Sequence, residues 1–346
     1  MNTHSSLRSA SDLEARGLIS KSERIGIEEV ARRFSVAVTP DMADLIGGPP
    51  QSDPIAAQFV PTKQELDWSP KELADPIGDE AFSPVRGIVH RYPDRVLLKP
   101  LHVCPVYCRF CFRREMVGPS GENLTKAELD AALAYIAGSK DIFEVIVTGG
   151  DPFALSSRRI SKIVAALTSI EHIGVIRFHT RVPVVAPDLI TETFVESLAS
   201  RKAVFVALHT NHASELTSAA REACARLINA GIPMVSQTVL LRGVNDTPES
   251  LTALFRVLVS NRIKPYYLHH GDLAKGTSHF RTTIAKGQDL MRQLRGTLTG
   301  LAQPAYVLDI PGGHGKVPIG PGYVEEGVDG TYQVTDPYGD IHDYGG

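Results

Sequence analysis

The chain has 346 residues, 43% of them hydrophobic, and a formal net charge of −3. That supplies a large core, and the lack of any basic block argues against nucleic acid and membrane surfaces as partners, so a small-molecule substrate is expected. No run approaches the ~18 apolar residues of a membrane span, and the N-terminal stretch has no apolar signal-peptide core, so a cytoplasmic location is expected. Residues 1–85 are rich in Ser, Pro, Asp and Glu. Helical pieces are expected there at Glu28–Phe34 and Lys63–Leu66, within a covering segment rather than an independent core. A regular alternation begins at Arg95. Strands are predicted at Arg95–Leu98, Phe143–Thr148, Val175–Phe178, Val204–Leu208, Met234–Leu241 and Lys264–Leu268. Helices are predicted from the capping box Thr125-x-x-Glu128 through Ala137, then near Ile160–Leu167, Thr191–Leu198, Ser218–Ala230, Glu249–Val259 and Gln288–Thr299. The strands are runs of Val, Ile and Leu, as expected where both faces are buried.

Six such β–α units imply parallel strands joined by right-handed crossovers. They are too few for a closed eight-stranded barrel. The predicted fold is therefore α/β, an open (βα)6 partial TIM barrel over 86–303 with a C-terminal segment over 304–346. In such folds chemistry sits at the C-terminal strand ends. Three cysteines follow the first strand, Gly149-Gly150-Asp151 the second, Arg181 the third, His209 the fourth and Asp272 the sixth.

Three of the four cysteines fall within eight residues, as Cys104-x3-Cys108-x2-Cys111. This is no disulfide framework, and in a reducing compartment it reads as metal-binding or catalytic. Thiolates hold Fe–S clusters, and three of them leave one iron of a 4Fe–4S cube open for catalysis. A zinc site is the alternative, but structural zinc wants four ligands and no second cysteine pair exists. Cys224 stands alone on a predicted helix and reads as a small core residue. With Phe110 just before the last cysteine, the triad resembles the radical S-adenosylmethionine (SAM) superfamily. That resemblance implies SAM on the open iron and a 5′-deoxyadenosyl radical from its one-electron cleavage. Gly149-Gly150-Asp151-Pro152 is similar to the superfamily stretch whose backbone meets the SAM amino group. Physically, glycines there would let a ligand approach the main chain closely.

Near the C-terminus, Asp309-Ile-Pro-Gly-Gly-His-Gly-Lys316 places three glycines around a lysine. A lysine in a restricted pocket can form a Schiff base; an exposed turn is the plainer alternative. Upstream, His90-Arg91-Tyr92-Pro93-Asp94-Arg95 flanks a tyrosine with arginines, suited to a phosphate and an aromatic ring, or to a solvated turn.

Together these segments resemble the lysine 2,3-aminomutase family, in its short form, from about Asp75 to Val324. The matching stretches are DPIGDEAFSPVRGIVHRYPDRVLL, CPVYCRFCFRR, VTGGDP, TRVPVV, NH, QTVLLRGVND, PYYLHHGDLAKGTSHFRT and PGGHGK. The resemblance implies that Lys316 carries pyridoxal 5′-phosphate (PLP), gripped by Arg91, Tyr92 and Arg95. It places His209 and Gln237 on the SAM side. It assigns Arg113 to the substrate carboxylate, and Asp272 and Asp309 to the distal ammonium of lysine. The implied reaction moves the α-amino group of L-lysine to the β-carbon, giving β-lysine. Arginine or another cationic amino acid, and β-lysine supply for elongation factor P, are alternatives; an Fe–S binding or regulatory protein that kept the fold is the non-enzyme reading. An electron donor such as flavodoxin or ferredoxin and a homodimeric assembly are the implied partners. Thr247 stands where the long family members carry an interface cysteine, so their intersubunit zinc is not expected.

Overall fold

The computed structural model describes residues 6–118, 122–327 and 330–345. The N-terminal segment holds α1 (Ala10–Ala15), α2 (Arg24–Arg33), α3 (Pro40–Leu45) and α4 (Pro54–Phe59), then a 3-10 turn at Lys63–Leu66. Side-chain oxygens of Ser9, Thr39 and Asp53 cap α1, α3 and α4, and proline opens the last two, satisfying amides that short helices would otherwise leave bare. Leu13, Met42, Ile55 and Phe59 join the same buried cluster as the strand residues that follow. The segment thus covers the barrel rather than forming a core of its own.

The main body runs β1 (Ile88–Tyr92), β2 (Arg95–Leu101), α5 (Lys126–Gly138), β3 (Glu144–Gly149), α6 (Ser157–Ser169), β4 (Val175–Thr180), α7 (Val182–Val185) and α8 (Glu192–Glu196). It continues with β5 (Ala203–His209), α9 (Ser218–Asn229), β6 (Met234–Val239), α10 (Pro248–Ser260), β7 (Ile263–His269), α11 (Ile284–Thr297), β8 (Ala305–Ile310) and β9 (Gly315–Pro318). Thr125 and Glu128 form the expected capping box. Thr247 caps α10, its hydroxyl accepting from the Ser250 N–H at 3.2 Å. A separate antiparallel sheet of β10 (Val324–Glu326), β11 (Thr331–Thr335) and β12 (Ile341–Gly345) ends the described chain.

Among the described residues β1 to β9 form one sheet in chain order, parallel from β2 to β8 and antiparallel at both ends. The six predicted units are present, and β8 adds a seventh parallel strand. The ends of the sheet are not hydrogen-bonded as a ladder. They are drawn together by the Tyr92 hydroxyl, which accepts from the Lys316 N–H at 2.7 Å. Gly78 also packs on the turn between β8 and β9: a Cβ there would lie 2.7 Å from the Gly312 carbonyl carbon, and its φ is +68°. Both facts require glycine.

One face of the strands is wholly apolar where it meets the helices, and the other is mixed. Val145, Val147, Ile176, Phe178, Val206 and Leu208 are buried in the main core cluster. The alternating face carries Glu144, Arg177, His179, His209, Gln237, Tyr267 and His269. It faces the lumen: Arg177 on β4 bonds Glu144 at 2.9 Å and lies 5.7 Å from the Tyr266 ring of β7, on the far side of the sheet. The expected burial of both faces holds in the middle of β3 and β5, where Ile146 and Ala207 are buried on this second face, while polar and charged side chains occupy much of the rest of it. A filled barrel packs its interior with branched aliphatics; this lumen is lined to hold polar ligands.

Candidate active site

The cysteine loop leaves β2 at the C-terminal end of the barrel, where the sequence places it. It is anchored from the N-terminal segment. Glu65 is buried and ion-paired with both Arg109 and Arg114. Burial opposes its charge, but the two guanidiniums hold it ionised and below the usual carboxylate range. Burial pushes the thiols of Cys104, Cys108 and Cys111 up, that of Cys111 to about 11. A bound cation favours their ionised form. Arg181 Nη1 donates to Cys108 Sγ at 2.9 Å, while its Nη2 bonds Glu215 Oε2 at 2.7 Å. A cationic donor on a thiolate sulfur is the kind of contact that tunes a cluster. Among the described residues no three His, Cys, Asp or Glu side chains close around a single-ion position. Cys224 is buried on α9, away from this loop.

Gly149, Gly150 and Asp151 sit beside the loop. A Cβ on Gly149 would lie 2.5 Å from the Leu101 carbonyl oxygen, and one on Gly150 would lie 2.3 Å from that of Val103. The glycines thus admit the backbone that leads into the cysteine loop. The Asp151 carboxylate accepts from Thr180 Oγ1 and the Arg181 N–H, both at 2.6 Å. It fastens the end of β3 to that of β4, leaving this stretch main-chain contacts to offer. His209 ends β5 with its ring 5.6 Å from Phe110. Its Nε2 is buried without a partner, and burial holds the imidazole neutral.

Lys316 lies deeper along the seam. It pairs with Asp309 across the β8–β9 hairpin, and its ammonium bonds the Asp309 carboxylate. Gly312, Gly313 and Gly315 have φ of +81°, +84° and +98° and turn the hairpin back on itself. Lys316 Nζ also lies 3.2 Å from His269 Nδ1, whose ring meets Gln237 Oε1 through Nε2 at 3.2 Å. Burial opposes the Asp309 charge, but His269 and Lys316 outweigh it and bring the carboxyl down to about 2. Asp272, on the loop after β7, is driven the other way. Burial and then the Asp309 charge push it up to about 7. The Asp309 charge thus reaches Asp272, and Asp309 is itself paired with Lys316.

Arg113 is also engaged. Its Nε and Nη2 bond Asp79 Oδ2 at 2.9 and 2.8 Å. Asp79, which carries no role in the sequence reading, also gathers Lys99 at 3.6 Å and Arg91 at 3.5 Å. Arg91 donates to the Ile77 carbonyl at 2.6 Å, while its Nε is buried without a partner. Arg95 is half-exposed, bonded to Asp94 at 2.7 Å, with its guanidinium 3.8 Å from the Tyr92 ring centroid. The structure thus gathers Lys316, Asp309, Tyr92 and Gln237 in one network, and Arg91 and Arg113 in another. Asp79, His179 and His269 escaped the sequence reading. Only their inward alternation on β4 and β7, or the DPIGD stretch for Asp79, could have flagged them.

Residues 98–254 match the Radical SAM superfamily. The chain is 42% identical to L-lysine 2,3-aminomutase of Methanococcus maripaludis, over 87% of this chain and 70% of that one. It is 38% identical to L-lysine 2,3-aminomutase of Clostridium subterminale, over 88% and 74%. Glutamate 2,3-aminomutase of Clostridioides difficile is 36% identical, over 90% and 74%. Among the described residues no helix is long and apolar enough to cross a membrane. A thiol triad at the strand ends of a nearly closed parallel sheet, above a polar lumen, is what a SAM-binding 4Fe–4S enzyme requires, and with relatives matched over most of their length the chain belongs to the lysine 2,3-aminomutase family of radical SAM isomerases.

Proposed function

We propose that this enzyme converts L-lysine to β-lysine, with PLP on Lys316 and an external one-electron donor such as flavodoxin or ferredoxin. The observation that carries the substrate choice is that Asp272 lies within reach of the Asp309 charge, and Asp309 is paired with the Lys316 ammonium. With Lys316 committed to PLP, the Asp309 carboxylate would lose its cation, and Asp272 could give up its proton to an incoming one. The distal ammonium of lysine fits that gap. At ~4 Å and an effective dielectric of ~20, each such pair is worth about 4 kcal/mol before desolvation. A glutamate side chain would be repelled by a comparable amount.

The lumen suits PLP. It offers an amine at Lys316, an aromatic hydroxyl at Tyr92, and a buried unpartnered Nε on Arg91. SAM with the cluster supplies a hydrogen-abstracting radical, and PLP an aromatic system that delocalises the unpaired electron while nitrogen migrates. The protein's own work is positioning. Asp79 fixes the Arg113 guanidinium so that its remaining N–H groups can meet the substrate carboxylate. Asp272 and Asp309 hold the far end, fixing the chain between two charged clamps. His209, neutral and unpartnered at Nε2, faces the SAM side beside Phe110. We further propose that the chain divides into three parts at 85/86 and 303/304 and that two copies form a homodimer.

The test is anaerobic turnover of isotopically labelled amino acids: lysine should yield β-lysine, and rearrangement of glutamate or an apolar amino acid instead would defeat the reading. Asp272 gives a pH signature. An acid raised in the folded state holds a proton between about pH 4, the ordinary carboxyl value, and about 7. Its deprotonation costs stability as pH rises through that window. Binding an ammonium requires the carboxylate, so lysine binding below about pH 7 should release close to one proton. Calorimetry in buffers of different ionisation enthalpy measures this. Asp272→Asn should remove the release and lower kcat/KM by roughly two orders of magnitude, as loss of one partner of a buried charge pair does. Binding with no proton exchange at pH 6 would remove Asp272 from the ammonium site.

A further inference from the structure

His269 ends β7 with both ring nitrogens engaged. Its Nε2 faces Gln237 Oε1 at 3.2 Å. A carboxamide oxygen only accepts, so this contact puts the imidazole hydrogen on Nε2. Nδ1 is then a bare lone pair, and it faces Lys316 Nζ at 3.2 Å. The tautomer is set by the far nitrogen's partner, a common device for aiming a base. The opposite tautomer would set an N–H against an ammonium. Asp309 Oδ2 lies 3.5 Å from the same Nδ1.

We propose that His269 is the proton acceptor for Lys316, drawing a proton from its ammonium so that Nζ becomes nucleophilic. The inference rests on the reading of Lys316 as the pyridoxal-bearing lysine. In this step one Nζ–H bond breaks and an Nδ1–H bond forms. The electron pair stays on Nζ, leaving a neutral amine beside an imidazolium. The distance is within the range for direct general-base transfer. The transfer is uphill, because burial and the Lys316 charge disfavour the imidazolium. Asp309 offsets this: its carboxylate pairs with the cation whether the proton sits on Lys316 or on His269. Asp309 stays the paired anion rather than the base: burial raises its carboxyl, but the Lys316 charge and hydrogen bond lower it. Tyr267, with its ring 5.4 Å from Nζ, is no better as a base, since burial and Tyr266 raise its hydroxyl far above neutrality.

The test is the rate at which protein stripped of pyridoxal regains it from PLP, followed by absorbance and by borohydride trapping on Lys316. This readout needs neither SAM turnover nor a reduced cluster. General-base loss typically costs about a hundredfold or more. His269→Asn, which retains hydrogen-bonding capacity but cannot act as a base near neutrality, should load about a hundredfold more slowly to the same final stoichiometry. His269→Ala should be equally slow and should be accelerated by added imidazole. Wild-type loading rates in His269→Asn overturn the proposal. So does an alanine variant that imidazole does not accelerate, since packing loss alone would not be rescued. If the wild-type protein takes up no pyridoxal, the functional reading falls and this proposal with it. If the wild type loads on Lys316 and the variants match it, only the assignment of His269 falls.

Discussion

Lys316→Ala is expected to abolish borohydride-trapped pyridoxal and to reduce lysine turnover below detection, while cluster absorbance and SAM binding persist. The reason lies in where amines can reach. Lys316 is aimed into the lumen by the β8–β9 hairpin, and its main-chain N–H is held by Tyr92. A second lysine, Lys99, is buried on β2 beside Asp79. Burial and the Arg113 charge lower its pKa, which makes it the natural rival nucleophile. Peptide mapping after reduction separates the two. A pyridoxyl group on Lys99, or undiminished incorporation in Lys316→Ala, would defeat the assignment of Lys316. Cluster content should not change, because Lys316 contacts Asp309, His269 and Tyr92 rather than the cysteine loop.

Changing any one of Cys104, Cys108 or Cys111 to alanine should eliminate the broad charge-transfer band of the anaerobically reconstituted protein near the visible–ultraviolet boundary, together with activity. Cys224→Ala should leave both intact, since burial keeps that thiol neutral in the core, pushed up to about 12. The three loop thiols are neutral before iron binds, so reconstitution near pH 7 should release protons in step with cluster formation. Iron and sulfide analysis, read against proton release, checks both points. A colourless wild type holding stoichiometric zinc, or a cysteine variant that keeps the band, would overturn the cluster assignment.

The strands from β2 to β7 and their helices were legible because each strand is a short run of Val, Ile and Leu followed by a capped amphipathic stretch. The thiol triad was legible for a similar reason: its spacing is local. Lys316 and Asp309 could be singled out, yet not their pairing. That pairing depends on Ala305–Ile310, a Tyr-Val-Leu run not among the predicted strands, continuing as strand up to the Pro-Gly-Gly turn. β1 was hidden likewise, since Tyr92-Pro93-Asp94-Arg95 reads as an open turn rather than the tip of a hairpin.

What the sequence determined by itself is therefore the kind of chemistry, the order of units and the side chains at the strand ends. What only the tertiary structure decided is which charges meet. Arg113 finds Asp79, Asp309 finds Lys316, Arg181 joins Cys108 to Glu215, and His269 stands between Gln237 and Lys316. Strand and helix formation follow from local periodicity, which a short window of sequence contains. The partner of a buried charge is set by strand register and by closure of the sheet at Tyr92 and Lys316. Those distances do not exist until strands far apart in the chain surround the same lumen.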